Sequence, residues 1–474
     1  MPDPAQPGRA FCGEKPSDGI HGAEISLSRE CETPKACTPA QQGLVVLSEP
    51  RWPYHGTVKA RPITTAFWVV GVLSLVTSLV PIVNGEQGYD TAPLWHAIRA
   101  LLEGGTVYTE KGAGDLLYPP SALLMLLPLG AFTLNWAGRL FFIVDIATIL
   151  AATAILLNIF GLRWRGLAGA IALLGISLAW PVLFTIDAGN VNGPLLFGLA
   201  LFLRAATHGL WTSAGVWLGL TLALKPLLAP LLIVLVLYRR WKGLAIAVVV
   251  PLALSALVLL SAPETRHFFD RTLPLLFRGQ NQDIQDVSIS LSSVAARFSI
   301  PDPAVVAIQL VVISATGILV WRRWQSTDRS EPRRLVELSS ILLVGAFLAS
   351  TFAFPHYGIF LLPLAVSITD PASPYRDWLT WGALFCLATP ISWQLELLPE
   401  AVNEVVAERF TFALLILLVS VSLALRRQTH VQTASPAVPS VPVAAPRKAR
   451  VPTGLRERPE HGRGIAPQES EGNP

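Results

Sequence analysis

The sequence predicts an all-α polytopic membrane protein, and three observations support this prediction. Of the 474 residues, 52% are hydrophobic and only 14% are charged, and the mean hydropathy is +0.51. A water-soluble domain presents far more charge, whereas a chain solvated by lipid has the opposite requirement. Fourteen Trp and twenty Phe fit the aromatic belts at the two interfaces of a bilayer. We therefore expect a helical bundle embedded in lipid.

The apolar residues fall into separate runs, and we predict one membrane segment for each. The runs lie at about 64–83, 119–133, 136–158, 166–186, 191–206, 211–224, 226–238, 243–262, 304–321, 335–354, 356–369, 378–395 and 405–425. Several are shorter than the ~20 residues that a perpendicular span needs. We therefore predict about 11–13 transmembrane or half-spanning helices, with the Pro-rich run 119–133 as a re-entrant or half-spanning piece.

Composition divides the chain into three parts. Residues 1–62 and 428–474 are polar and rich in Pro, Gly and Ser, so they cannot bury enough apolar area to offset chain entropy. We predict that both are disordered tails around a membrane domain at 63–427. The first 60 residues contain no apolar segment of a secretory signal, so the first span is expected to act as its own insertion signal.

Basic residues predict the orientation of the bundle. Arg and Lys cluster where apolar runs begin or end, at Arg239–Arg240–Lys242, Arg322–Arg323, Arg333–Arg334 and Arg426–Arg427. Cytoplasmic loops carry such clusters, and their shortness argues against a nucleic-acid surface, so no nucleic-acid partner is predicted. With these clusters inside, loop 263–303 and the start of the run at His356 lie on the outer face, and loop 84–118 lies there too if the N-terminal tail is cytoplasmic. This predicted convergence of polar features matters most for function.

The sequence lacks the motifs that are typical of several classes of enzyme. There is no Walker A loop, GxSxG, HExxH or GxGxxG in a strand–helix context. The four cysteines lack metal-ligand spacing. The acids of the outer loops (Glu86, Glu110, Asp115, Asp283 and Asp286) are scattered rather than paired. We predict neither a metal nor another cofactor.

Two ionisable residues near the membrane are the main functional candidates, because such groups are costly there. Asp90 opens an amphipathic segment after the first run; it could cap a helix or act as a general base. Lys225 interrupts a long apolar run, which Pro226 breaks. It could reach the interface at a helix end, or bind a phosphate or carboxylate.

Weaker candidates surround these two. His356 follows Pro355 at the start of a run and could be structural. Arg271 and Arg278 lie in FFDRTLPLLFRG, where an amphipathic helix on the outer leaflet would meet lipid headgroups. Asn190 and Asn192 belong to the polar break TIDAGNVNG, which could be only a turn. Tyr118 of the YPP sequence could be an ordinary interfacial tyrosine.

The order of four segments resembles a known family. GYDTAPLWHAIRALLEGGTVY is followed by LYPPSALLMLLPLG, GNVNGPLLFGLALFLRA and GLTLALKPLLAPLLIVLVLYRRWKGLAIAVVVP. Together they resemble glycosyltransferase family 87, membrane enzymes of the GT-C class that use polyprenol-phosphate sugars. Residues 184–301 are similar to its actinobacterial branch, the decaprenylphosphoryl-arabinose-dependent α-(1→3)-arabinofuranosyltransferases. The resemblance covers about residues 64–425 and neither tail.

The resemblance implies a GT-C-type bundle with juxtamembrane helices in the first outer loop, and a role for each candidate. Asp90 matches the catalytic base, and Lys225 and Arg271 match residues expected at the donor phosphate. His356 matches a position that is often His in the wider family. Substrate-binding roles are expected for this histidine and for Tyr118, Asn190, Asn192 and Arg278.

The resemblance also implies partners and a location. The donor would be a polyprenyl-phosphate-linked sugar, decaprenyl-phosphate arabinofuranose, and the acceptor a glycan or glycolipid, the arabinan of the cell wall. A multi-pass protein of the plasma membrane with its active site on the extracytoplasmic side is expected. The alternatives are a polyprenol-phosphate-mannose-dependent mannosyltransferase and a transporter of lipid-linked sugars, although the sequence shows no internal repeat of the transporter kind.

Overall fold

The computed structural model describes residues 61–84, 90–108, 116–278, 288–326, 330–371, 373–389 and 409–434. Across these residues the chain forms helices and connecting turns, with no strand among them. The predicted all-α class is confirmed. Most of the two predicted tails lies outside the described residues, but the last helix continues to Ala434, past the predicted boundary at 427.

The first half of the chain forms a series of helices that are separated by turns. They are α1 (Arg61–Asn84), α2 (Thr91–Glu103), α3 (Pro120–Met125) with a 3₁₀ turn (Leu127–Ala131), α4 (Leu134–Ile159), α5 (Leu167–Leu178), α6 (Trp180–Ala188), α7 (Asn192–Thr207), α8 (Trp211–Leu224), a 3₁₀ turn (Pro226–Leu231) and α9 (Leu232–Leu237).

The second half contains both long and short helices, with several irregular turns between them. They are α10 (Trp241–Ser261), a 3₁₀ turn (Pro263–Arg266), a π-helical turn (Phe268–Thr272), α11 (Leu273–Arg278), α12 (Leu291–Arg297), α13 (Asp302–Gln325), α14 (Glu331–Ala349), a 3₁₀ turn (Pro355–Leu361), α15 (Leu362–Ser367), α16 (Trp378–Ala388) and α17 (Arg409–Ala434).

Helix length and composition identify the membrane segments. Within the described ranges, α1, α4, α10, α13 and α17 are each long and apolar enough to cross a bilayer. The pair α5 and α6 passes the same test together but bends by 61°. Shorter apolar helices follow at Trp211–Leu224, Pro226–Leu237, Pro355–Ser367 and Trp378–Ala388. The protein is therefore polytopic, as predicted, whereas the total of 11–13 segments stays a prediction.

Prolines explain where the predicted runs are broken. Run 166–186 was expected as one segment, but it divides at Ala179, and Pro181 occupies the first turn of α6, where its missing N–H is tolerated. Run 119–133 forms only α3 and a 3₁₀ turn, of six and five residues. Together they rise by roughly 20 Å, less than the ~30 Å of a hydrocarbon core, as a half-spanning piece requires.

Small residues let two helices pack with their backbones close together. A Cβ on Gly215 of α8 would lie 2.3 Å from the carbonyl oxygen of Gly243 at the start of α10. Close backbone contact through small residues is the usual way in which helices associate inside lipid, where hydrophobic exclusion from water is absent. The pairing of α8 and α10 leaves the end of α8, next to Lys225, firmly placed.

The predicted cytoplasmic charges are partly buried ion pairs. Arg323 near the end of α13 donates from Nε to Oε2 of Glu337 on α14 at 2.6 Å, and both side chains are 0% exposed. Arg333 pairs with Asp370 in the same way. Removing one partner of such a pair costs about 3–5 kcal/mol, because a buried charge is left uncompensated. The first pair joins α13 to α14, and the second joins α14 to the turn that follows α15.

Candidate active site

The start of α2 is fastened to the turn between α6 and α7. The backbone N–H of Asp90 donates to the carbonyl of Ala188 at 3.0 Å, and the hydroxyl of Thr91 donates to the carbonyl of Gly189 at 2.8 Å. Asp90 occupies the N-cap position of α2, but its side chain makes no capping hydrogen bond. The carboxylate is therefore not used for capping, which was the structural alternative considered from the sequence.

The Asp90 carboxylate is bound instead by a residue from the same turn. Nδ2 of Asn190 donates to Oδ2 of Asp90 at 2.6 Å. Burial raises the pKa of Asp90, and this hydrogen bond and the charge of Lys225 partly offset the rise. Gly189, with φ of +61°, permits the left-handed bend that brings Asn190 back toward α2. A partly desolvated carboxylate with one amide partner results.

Lys225 lies at the break between α8 and the following 3₁₀ turn. Its backbone is extended (φ −159°, ψ 125°), as expected for a residue before proline. Its Nζ lies 5.6 Å from the ring centroid of Tyr118 and 5.0 Å from that of Tyr357, so two aromatic faces hold the cation. Among the described residues no carboxylate forms an ion pair with Lys225, although the charge of Asp90 is close enough to act on it.

Tyr118 connects Lys225 to the segment at 263–278. The Tyr108 hydroxyl donates to the Tyr118 carbonyl at 2.9 Å, and the Tyr108 ring lies 5.6 Å from that of Phe268. Phe268 begins the π-helical turn that carries Arg271, a half-buried residue. These contacts place the segment that carries Arg271 beside the site.

His356 is held in a stack of aromatic rings. It is 4% exposed and lies between Phe184 (5.2 Å between centroids, 13° between planes) and Phe354 (5.3 Å, 9°). Neither ring nitrogen has a hydrogen-bond partner among the described residues, and the charge of Lys225 reaches the ring. The stack fixes the plane of the ring.

Hydroxyl groups support the irregular backbone before His356. Oγ of Ser290 donates to the carbonyl of Thr351, and the N–H of Ala353 donates to Oγ of Ser288. Thr351 in turn donates to the carbonyl of Leu276 in α11. Backbone groups outside a helix have to be satisfied at membrane depth, and these serines do so. The Thr351 hydrogen bond joins the segment at 263–278 to the chain that leads to His356.

The structure thus brings several predicted residues to one end of the bundle. We name the group Asp90, Asn190, Lys225, Tyr118 and His356 the Asp90–Lys225 cluster. Asn192 is 0% exposed, and its side-chain amide has no hydrogen-bond partner among the described residues. Arg278 ends α11, and its side chain lies outside the described residues.

Two residues of this region were not predicted from the sequence. Tyr357 supplies a ring for Lys225, and Asp145 of α4 is a carboxylate with 0% exposure. Asp145 is the one acidic residue in the apolar run at 136–158, so the cost of an ionisable group at membrane depth would have identified it. Nothing in the local sequence distinguishes Tyr357 from an interfacial tyrosine.

The cluster combines groups suited to a displacement reaction. A half-buried carboxylate can take a proton, and a cation without an ion-pair partner can stabilise developing negative charge. In the part of the chain that the structure describes, no three His, Cys, Asp or Glu side chains come together as a metal site would need.

Comparison with known proteins gives one family and several relatives. The sequence model of glycosyltransferase family 87 matches residues 116–351. An α-(1→3)-arabinofuranosyltransferase of Mycobacterium tuberculosis is 29% identical over 340 residues, 70% of this chain and 77% of that protein. An enzyme of the same name from Corynebacterium glutamicum is 26% identical over 354 residues, 74% of this chain and 82% of that protein.

A third relative carries a different name. The polyprenol-phosphate-mannose-dependent α-(1-2)-phosphatidylinositol pentamannoside mannosyltransferase of Mycobacterium tuberculosis is 26% identical over 354 residues. That similarity covers 71% of this chain and 79% of the relative. The family match includes Tyr118, Lys225 and Arg271 but ends before His356 and begins after Asp90.

Proposed function

Because this chain is a membrane glycosyltransferase of family 87, we propose that it transfers arabinofuranose from decaprenyl phosphate to an arabinan acceptor of the cell wall. The observation that carries the proposal is that a carboxylate and a cation lie close together at one end of the bundle. The Asp90 carboxylate and the Lys225 cation interact electrostatically, yet neither is consumed in an ion pair with the other.

The proposed reaction is a single displacement at the anomeric carbon. Asp90 takes the proton of an acceptor hydroxyl, whose oxygen forms the new bond to that carbon. The bond from the anomeric carbon to the phosphate oxygen breaks, and its electron pair stays on the phosphate. Lys225 and Arg271 stabilise that charge. One carboxylate without a protein nucleophile implies inversion of configuration.

A lipid-linked donor explains why the site belongs to a membrane protein. The prenyl chain stays in the leaflet while the phosphate and sugar reach the end of the bundle where the cluster lies. The basic groups at the opposite ends of several helices favour an extracytoplasmic position for this end, in the plasma membrane. His356 and Asn192 are buried, and their polar atoms have no hydrogen-bond partner among the described residues; we assign them to contacts with sugar hydroxyls or phosphate oxygens once the donor is bound.

The donor sugar is tested by competition between two lipids. Purified protein in nanodiscs receives labelled decaprenyl-phosphate arabinose and polyprenyl-phosphate mannose, each with an arabinan acceptor and with a mannoside acceptor. We expect covalent transfer of arabinose, with kcat/KM for mannose at least about tenfold lower, a difference of 1.4 kcal/mol. Mannose transfer without arabinose transfer would establish the alternative function that the third relative suggests.

The same assay separates an enzyme from a transporter. A transporter of lipid-linked sugars would move label across a proteoliposome membrane without forming a new glycosidic bond. Product analysis by mass spectrometry detects that bond directly. Movement of label with no transfer product would contradict the proposal for either sugar.

Asn190→Ala is expected to make transfer more sensitive to acid. The Asn190 amide lowers the pKa of Asp90, so its removal raises that pKa further. A general base works in its deprotonated form, so activity falls as the pH drops through the pKa, and the acid limb moves to higher pH. The kcat–pH profile of the variant measures this shift, with Asn158→Ala at the far end of α4 as a matched control. An unmoved acid limb would contradict the role of Asn190.

A further inference from the structure

An unpartnered carboxylate lies inside the bundle, and the reaction described above does not use it. Asp145 occupies the middle of the apolar helix α4 and is 0% exposed. Neither side-chain oxygen has a hydrogen-bond partner among the described residues. Burying a carboxylate without compensation is costly, and inside a membrane segment it marks a functional position by default.

The group that faces Asp145 is the first turn of α7. A Cβ built on Gly193 would lie 2.4 Å from Oδ1 of Asp145 and 2.9 Å from Oγ1 of Thr148, so only a glycine fits against the carboxylate. The Gly193 N–H is directed at the carboxylate but falls short of hydrogen-bond geometry. The first N–H groups of a helix lack partners within it and carry partial positive charge, which favours an acidic neighbour.

The residues just before this turn hold the catalytic carboxylate. Ala188 and Gly189 accept hydrogen bonds from the start of α2, and Asn190 donates to Asp90. Asp145 lies against Gly193, only three residues after Asn190, which places it beside the Asp90–Lys225 cluster. An unbroken path therefore runs from Asp145 through the first turn of α7 and Asn190 to Asp90.

We propose that Asp145 is a positioning residue that anchors the N-terminus of α7 and thereby sets the position of Asn190 and of the Asp90 carboxylate. The inference rests on the proposed role of Asp90 but not on the identity of the sugar. Asp145 acts from the neighbouring helix by presenting its side-chain oxygens to the N–H groups of the first α7 turn, which lack partners within that helix. It neither touches the substrate nor exchanges a proton during transfer.

Two substitutions separate this role from its alternatives. Asp145→Leu keeps the approximate size of the side chain but removes the acceptor, whereas Asp145→Asn keeps an oxygen that can accept from the same N–H groups. We expect Asp145→Leu to lower kcat by about 10²-fold, the usual effect of a 1 Å misplacement, with both KM values within about threefold. Asp145→Asn should retain kcat within about fivefold. Thr153→Val, a buried polar-to-apolar change on the same helix, is the control and should match the wild type.

A double-mutant cycle tests the path through Asn190. If Asp145 acts on Asp90 through Asn190, Asp145→Leu costs much less in an Asn190→Ala background than in the wild type. Multiplicative effects, or an Asp145→Leu variant with full kcat, would overturn the proposal. An Asp145→Asn variant as inactive as Asp145→Leu would instead indicate a charge or proton role, and would equally overturn it.

Hydrogen–deuterium exchange supplies a measurement that needs no activity. Amides of residues 189–193 should exchange faster in Asp145→Leu than in Thr153→Val, and unchanged exchange would refute the anchor even if neither donor lipid is a substrate. If Asp145→Leu does not fold, Gly193→Ala replaces it, since its Cβ pushes the same turn away from α4. A wild type inactive with every donor would refute the proposed function while the exchange result still decides the role of Asp145.

Discussion

Asp90→Asn is expected to lower kcat by about 10³-fold while leaving the fold and donor binding intact. General base catalysis contributes about 10²–10⁴-fold, and this substitution removes the base without changing the size of the side chain. The hydrogen bonds that fix the start of α2 come from the backbone of Asp90 and from Thr91, so they survive the change. The measurement is steady-state transfer with donor and acceptor varied separately.

The control for this variant lies on the same helix. Glu103→Gln neutralises an exposed carboxylate whose one ion pair among the described residues is with Arg99 at the protein surface, and such pairs contribute little. We expect wild-type kcat for it. A donor KM unchanged by Asp90→Asn together with the loss of kcat would show that the carboxylate acts in the transition state. Full transfer by Asp90→Asn would eliminate Asp90 as the base.

The order of helices was largely predictable from the sequence, because every segment that is solvated by lipid has to be a long apolar run. Run 136–158 became α4 (Leu134–Ile159), and run 243–262 became α10 (Trp241–Ser261). The bend between α5 and α6 was missed because run 166–186 is apolar throughout. The direction in which a chain turns at a proline depends on the helices packed around it, which hydropathy does not record.

The chemistry of individual side chains was predictable only where local sequence decides it. Asp90 was recognised as a candidate, but capping rules consider only the next three residues, whereas its partner Asn190 lies 100 positions away. Arg323 was expected as an ordinary cytoplasmic charge, yet the fold buries it against Glu337. Tertiary partners of this kind become visible only once the helices are assembled.

Lys225→Met is expected to lower kcat/KM for the lipid donor by about 10²–10³-fold, the usual effect of removing one stabilising group from a developing oxyanion. Methionine keeps a flexible chain of similar length against Tyr118 and Tyr357 but carries no charge. The KM for the acceptor should not change, because the proposed contact is with the donor phosphate. Lys242→Met, which removes an exposed lysine at the start of α10, is the matched control and should behave as the wild type.

Inhibition by the product lipid distinguishes phosphate binding from a purely structural role of Lys225. Polyprenyl monophosphate carries the departing phosphate without the sugar, so it should compete with the donor in the wild type and bind much more weakly to Lys225→Met. Lys225→Arg should restore part of the binding, since it returns the charge but not the compact ammonium. An unchanged donor KM together with unchanged inhibition in Lys225→Met would refute the phosphate contact. The lysine would then serve only to pack the two tyrosine rings at the break after α8.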